Sequence, residues 1–293
     1  MSLPVIYTDL DGTLLDTDSY SAQDALPLLQ YLKDQDLPVI PCTSKTFGEV
    51  MALHAELPLA GPAIVENGSA VCVPNRWPIQ KPEEARIRGD YWIQPLGLSR
   101  REIQNRLAAF SPHYGEHYSP LSEIAIPQLC ALTGLSIEQA ALARQREYGE
   151  TLVWHGNSNE RSAFAQALKT VGLQLVSGGR FSHVLGGTDK AVAMLWLHQK
   201  LLNEWQPDAV SIAAGDAPND IEMLNAADYA LIVRSPRHPP PELQRQLRVL
   251  ISHQEGPAGW AWGIEQLIQQ IEESSRYGRL LPKWNDHNTT QFR

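Results

Sequence analysis

Two groups of carboxylates in this chain are spaced as a reactive centre would need them. Asp9-Leu10-Asp11-Gly12-Thr13 follows one short apolar run, and Gly215-Asp216-Ala217-Pro218-Asn219-Asp220 follows another. Residues two apart in an extended segment share a side, so Asp9 and Asp11 are expected to face one site. Gly12 lets the backbone turn sharply after them. Close carboxylates repel unless positive charge lies between them. Asp9, Asp11, Asp216 and Asp220, brought to neighbouring strand ends, would form a hard oxygen site suited to magnesium. An ionised carboxylate is also a nucleophile, and a second one beside it can carry a proton. Taken singly, either group is matched by turn and capping chemistry, since Asp-Gly is a common turn signal. Together, each after a buried strand, they point to a site.

Such a site needs a scaffold that ends several strands at one place. Leu3 to Thr8 reads as a buried strand, and Ala25, Leu28, Leu29 and Leu32 form a helical stripe opened by Ser21. Leu37 to Cys42 is the next strand, and Thr46 with Glu49 predicts a capping box. Ala63 to Val73, apolar on both sides of Asn67-Gly68, predicts a hairpin. Ala209 to Ala214 and Tyr229 to Val233 read as strands, and Ala261 to Ile271 as a closing helix. Strands alternating with helices imply an α/β fold with a Rossmann-like, mainly parallel sheet covered on both faces. In such sheets ligands bind beyond the carboxyl ends of the strands.

The middle of the chain is different. Its strands (Tyr91 to Gln94, Leu152 to His155, Leu173 to Ser177, Phe181 to Leu185) are half polar, and capping signals recur at Ser99 with Glu102 and Ser136 with Gln139. Half-polar strands suit a sheet with helices on one face and a cleft on the other. The expected organisation is a core of residues 1–84 and 186–275, an inserted α+β cap of residues 85–185, and a polar tail at 276–293.

Composition narrows the partners. Against 33 acidic residues stand 24 Lys and Arg, a formal net charge of -9. With no basic stripe, a nucleic-acid backbone would be repelled. Cys42, Cys72 and Cys130 are odd in number and widely spaced, which disfavours a disulfide framework or a cysteine zinc site. Apolar stretches are broken by Lys or Gln before membrane-spanning length, and no basic-then-apolar leader opens the chain. The expectation is a cytoplasmic protein acting on a small molecule. No GxGxxG follows the first strand and no GxxxxGK[ST] occurs, so dinucleotide and P-loop readings lose their support. The histidines, including His54, His113 and His117, lack paired ligand spacing and are expected on surfaces.

DLDGT near the start with GDAPND near the end resembles the haloacid dehalogenase superfamily of phosphatases, and the inserted middle resembles the α/β cap of its sugar-phosphatase branch. The resemblance implies that Asp9 attacks phosphorus and Asp11 serves as general acid and base. It implies magnesium held by Asp9, the Asp11 carbonyl and Asp216, with Asp220 assisting. Thr43 matches the residue that hydrogen-bonds the phosphoryl oxygens, and Lys190 the lysine that pairs with nucleophile and phosphate. Within the superfamily, Thr43-Ser44-Lys45-Thr46, Gly61 to Gly68, Gly178-Gly179-Arg180-Phe181 with His183, and Gly187 to Lys190 resemble the mannosyl-3-phosphoglycerate phosphatase family. That resemblance runs from about residue 3 to about residue 270. It makes the substrate a sugar phosphoglycerate, with Ser44, Lys45, Arg180 and Asn219 as further binding candidates. Gly149 and Thr151 stand where that family's cap motif has Ser and Pro. The alternatives are a broader sugar-phosphate phosphatase, acting on glucosyl-3-phosphoglycerate, sucrose phosphate or hexose phosphates, and a phospho-accepting signalling or binding protein. A signalling receiver would lack the insertion between Thr43 and Lys190.

Overall fold

The computed structural model describes residues 3–178 and 181–274. The expected tail at 276–293 and Arg180 lie outside the described residues. In chain order the strands begin with β1 (Pro4–Thr8), β2 (Val39–Pro41), β3 (Ala63–Val65), β4 (Ala70–Pro74), β5 (Arg86–Arg88) and β6 (Tyr91–Pro95). They continue as β7 (Tyr118–Pro120), β8 (Glu150–Trp154), β9 (Gln174–Gly178), β10 (Phe181–Leu185), β11 (Val210–Gly215), β12 (Tyr229–Arg234) and β13 (Val249–Glu255).

The central sheet has the order β13-β12-β11-β1-β2, and every pairing in it is parallel. Its β1 is buried throughout because each side of the sheet carries helices. Ile6 turns towards Leu29 and Leu32 of the helix Leu26–Asp34 and towards Trp260 of the helix Gly256–Ser274. Val5 and Tyr7 turn the other way, onto Met194, Leu197 and Leu201 of the helix Lys190–Glu204. Neither face meets water, so the strand reads as an unbroken apolar run. The fully buried Trp260 indole donates to Thr8 Oγ1 at 2.9 Å, and Thr8 in turn donates to the Asp9 carbonyl. A fully buried ring of the core thus fixes the residue before the first carboxylate.

A second sheet, β3-β4-β6-β5, is antiparallel and joins the central one through a bridge between Cys42 and Ile64. The expected hairpin is present, but its tip is a helical turn, Glu66–Gly68, rather than a two-residue loop. Strand β6, expected in the insertion, pairs with β4 of this sheet instead. We propose on this ground that the first crossing into the insertion lies at residues 96–98 rather than at residue 85. The two crossings lie side by side: Leu98 N donates to Gly186 O at 3.1 Å.

A third sheet, β7-β8-β10-β9, is antiparallel and lies within the insertion. Ile103, Leu107, Phe164 and Leu168 from the helices Arg100–Leu107 and Ser158–Lys169 pack with Leu152 and Val184. The predicted capping boxes at Thr46, Ser99 and Ser136 all form, each with its partner three residues on. Among the described residues no helix is long and apolar enough to cross a membrane.

Replacing Trp260 by Ala removes the largest fully buried side chain among the described residues and deprives Thr8 Oγ1 of its donor. We expect a loss of about 3–5 kcal/mol in unfolding free energy by urea titration.

Candidate active site

Parallel β1 and β11 end next to each other, and this places the two acidic motifs together. Asp9 N donates to Ala214 O at 2.8 Å, which locks the end of β1 beside β11. Gly12, at φ 87°, turns the chain where a Cβ would stand 2.7 Å from Asp216 Oδ2. Only glycine tolerates both the angle and the approach. Thr13 Oγ1 donates to Asp216 Oδ1 at 2.9 Å. Past β11, the turn Pro218–Asp220 returns Asp220 beneath the strand end, where its Oδ2 accepts the backbone N–H groups of Asp216 and Ala217.

Lys190 enters from the first turn of its helix and is 1% exposed. Its Nζ donates to Asp9 Oδ1 at 2.6 Å and to Asp220 Oδ1 at 2.7 Å. Burial alone would make the ammonium more acidic, but Asp220 and Asp9 outweigh it and hold Lys190 firmly protonated. Burial drives the Asp9 carboxyl well above its ordinary value, Lys190 pulls it back, and Asp220, Asp216 and Asp11 push it up again. Burial and Asp220 together push Asp216 up to about 6.

Ligand oxygens of Asp9, Asp216 and Asp220 lie within 4.8 Å of one another, all buried. Three carboxylates facing one ammonium leave two uncompensated negative charges when ionised. One divalent cation with oxygen preference would balance them and restore the acids to their charged forms. Donor type, count and burial therefore fit magnesium. Asp9 Oδ2 has no protein hydrogen-bond partner among the described residues.

Beside this cluster, residues 43–45 form a loop whose carbonyls are all held from outside. Asn67 N donates to Thr43 O at 2.8 Å, Glu66 N to Lys45 O at 2.9 Å, and Arg146 Nη2 to Ser44 O at 2.9 Å. Thr43 is fully buried, and among the described residues its Oγ1 accepts only Lys45 N, which leaves the hydroxyl proton for a ligand. Lys45 Nζ pairs with Asp11 Oδ1 at 2.8 Å. Its burial is outweighed by Asp11 and Glu49, which raise its pKa. Asn219 Nδ2 donates to Asn67 Oδ1 at 3.2 Å, tying the hairpin tip to the second acidic motif.

A cleft of about 420 Å³ opens between these groups and the insertion. Asp9, Asp11, Ser44, Lys45 and Asn219 line its floor, and Arg146, Thr151, Ser177 and His183 line its far side. Thr43, Lys190 and Asp220 lie behind the floor rather than on it. Arg180, the remaining candidate, lies outside the described residues.

Several contributors escaped the sequence reading. Glu66 accepts the backbone N–H groups of Glu147, Tyr148 and Gly149, clasping the insertion from the hairpin tip. His238 Nε2 approaches Asp216 Oδ2 at 3.4 Å. The expectation of surface histidines fails at His183 and His198, both buried. Each has a hydroxyl partner that makes burial tolerable: Thr151 Oγ1 at 3.1 Å from His183 Nδ1, and Tyr7 Oη at 3.2 Å from His198 Nδ1. Burial, with Arg146 and Lys190 nearby, pushes His183 down to about 3.

Comparison with known proteins finds relatives of this chain. Residues 6–84 match the haloacid dehalogenase-like hydrolase family. A glucosyl-3-phosphoglycerate/mannosyl-3-phosphoglycerate phosphatase from Methanococcoides burtonii is 33% identical over 269 residues, covering 90% of this chain and 97% of the relative. Two solved structures share the fold at low identity. A phosphatase of the haloalkanoate superfamily from Bacteroides thetaiotaomicron has TM-score 0.63 and 15% identity over 91% of this chain and 95% of its own. The sucrose-phosphatase of Synechocystis has TM-score 0.60 and 16% identity over 91% of this chain and 98% of its own.

Lys190→Met leaves Asp9 and Asp220 buried without their cation. Its expected cost is about 3–5 kcal/mol of stability near neutral pH without divalent ions, read by urea unfolding. His183 is neutral when folded and titrates normally when unfolded, so it adds stability above about pH 6.5 that fades as the pH falls towards 3. The wild type should therefore lose stability relative to His183→Gln by up to about 1.4 kcal/mol per pH unit between pH 6 and 4. Parallel stability profiles in wild type and variant would count against a neutral, buried His183.

Proposed function

We propose a reaction from one premise: the chain belongs to the haloacid dehalogenase-like hydrolases and is a phosphoric monoester hydrolase. The reaction is hydrolysis of mannosyl-3-phosphoglycerate to mannosylglycerate and phosphate. The observation that carries it is Asp9, gripped through Oδ1 by Lys190 with Oδ2 free at the floor of the cleft.

Lys190 opposes the protonation of Asp9 that burial favours and fixes its orientation; with the carboxylate ionised, its free oxygen attacks the phosphorus and displaces the sugar-glycerate oxygen. Asp11, on the cleft beside Lys45, gives its proton to the departing oxygen as the ester P–O bond breaks. It then takes a proton from the water that attacks the phosphoryl group on Asp9, which frees phosphate and regenerates the carboxylate. The Thr43 hydroxyl and the Ser44 loop bind phosphoryl oxygens, because the carbonyls of that loop are turned outwards. Magnesium would be held by Asp9, the Asp11 carbonyl and Asp216, with Asp220 bracing the site, and would neutralise phosphoryl charge there.

The substrate assignment is supported by the dual name of the Methanococcoides burtonii relative and by a cleft of small-molecule size. Thr151 favours keeping the glucosyl ester as a second substrate, since a residue that differs from the expected cap motif sits on the cleft wall.

Phosphate release from mannosyl- and glucosyl-3-phosphoglycerate, sucrose phosphate and hexose phosphates, with and without magnesium, tests the reading. We expect the two phosphoglycerates to dominate, and Asp9→Asn to lose at least on the order of 10³ in kcat. Broad turnover that still needs Asp9 would retain the chemistry and remove the substrate assignment.

A further inference from the structure

The cleft holds more positive charge than phosphoryl binding uses, and among the described residues one of its cations keeps an unpartnered donor. Lys45 sits 2.8 Å from Asp11, and Arg237 is paired with Asp18. Arg146 is different. Its side chain is only 9% exposed, and its closest ion-pair contact is to Glu66 at 4.0 Å. That carboxylate is already occupied by three backbone N–H groups from residues 147–149. One guanidinium nitrogen of Arg146 donates to Ser44 O, while its Nε is buried without a partner. A buried donor left unpaired is destabilising unless a ligand supplies the acceptor.

The surroundings of Arg146 suit a second anionic group. Thr151, Ser177 and His183 line the same wall and offer short polar contacts. The imidazole of His183 is neutral, so it adds no competing charge. The Ser44 carbonyl ties Arg146 to the phosphoryl-binding loop, so an anion on Arg146 stands at a fixed offset from the phosphate. Guanidinium planes match carboxylates with two parallel hydrogen bonds, which a lone ammonium cannot supply.

We propose that Arg146 determines specificity by binding the carboxylate of the substrate's glycerate, one arm of its guanidinium reading the ligand while the other holds Ser44. This rests on the sugar phosphoglycerate reading. It assigns the carboxylate to a residue of the insertion's own loop rather than to Lys45, which Asp11 engages.

The test compares two esters, the sugar phosphoglycerate and its carboxamide analogue, in wild type and Arg146→Gln. Wild type should prefer the carboxylate in kcat/KM, and the variant should lose about 10- to 100-fold of that preference, chiefly through KM. If both esters decline by the same factor, Arg146 only props the Ser44 loop and the proposal is overturned. Should Arg146→Gln fail to fold, Arg146→Lys keeps the charge and gives up the fork, and an unchanged preference in it overturns the proposal equally. If wild type hydrolyses neither ester, the substrate reading has failed on its own. Competitive inhibition of p-nitrophenyl phosphate hydrolysis by 3-phosphoglycerate then decides for Arg146: weakening of at least about tenfold in the variant supports it, and equal inhibition rejects it.

Discussion

The hydrogen bonds of Lys190 to Asp9 and Asp220 are the constraint around which the rest is arranged. A buried ammonium is unstable alone, and so are three buried carboxylates; each makes the other tolerable. Bringing them together demands that β1, β11 and the helix from Lys190 all end at one point, which a parallel sheet with crossover helices supplies. The hydrophobic faces on either side of β1 fix that geometry from behind. Charge balance remains incomplete, a deficit that a bound divalent cation would fill.

The hairpin tip at Glu66–Gly68 is the second organising element. Its backbone restrains two carbonyls of the 43–45 loop, its Asn67 side chain meets Asn219, and Thr188 Oγ1 donates to Gly68 O at 2.9 Å. A Cβ on Gly68 would lie 1.9 Å from the Asp189 carbonyl, and φ there is 90°. Three residues therefore join the 43–45 loop, the second acidic motif, the lysine helix and, through the Glu66 carboxylate, the insertion. Glu66 and Asn67 accept left-handed backbone angles to do this. Strain of this kind persists only where surrounding bonds over-determine it.

What could be read from the sequence divides by range. The capping boxes at Thr46, Ser99 and Ser136 are decided within four residues, and all were legible. So was the pairing of Asp9 with Asp216, because each follows an apolar strand that only a parallel sheet buries. Strand β13 was missed because most of it is exposed and its apolar run is only Val249 to Ile251. Strand β6 was assigned to the insertion because its own residues do not say that Cys72 and Val73 are its partners. Glu66 was invisible as a clasp because its acceptors serve N–H groups more than eighty residues away. Arg146 is one charge among many in the insertion's sequence, and the unpartnered Nε sets it apart. His183 looked like surface because nothing near it in sequence names Thr151 as its partner.

The bond between Leu98 N and Gly186 O has an evolutionary meaning. An insertion that leaves and re-enters the core through adjacent, mutually bonded segments imposes almost no loop-closure entropy on what surrounds it. From the side of the catalytic scaffold, nearly ninety residues of substrate-facing structure amount to one long turn. Such an appendage can be exchanged, lengthened or rebuilt by selection while the chemistry underneath is inherited intact. New substrates are then reached by grafting a new roof onto an old floor.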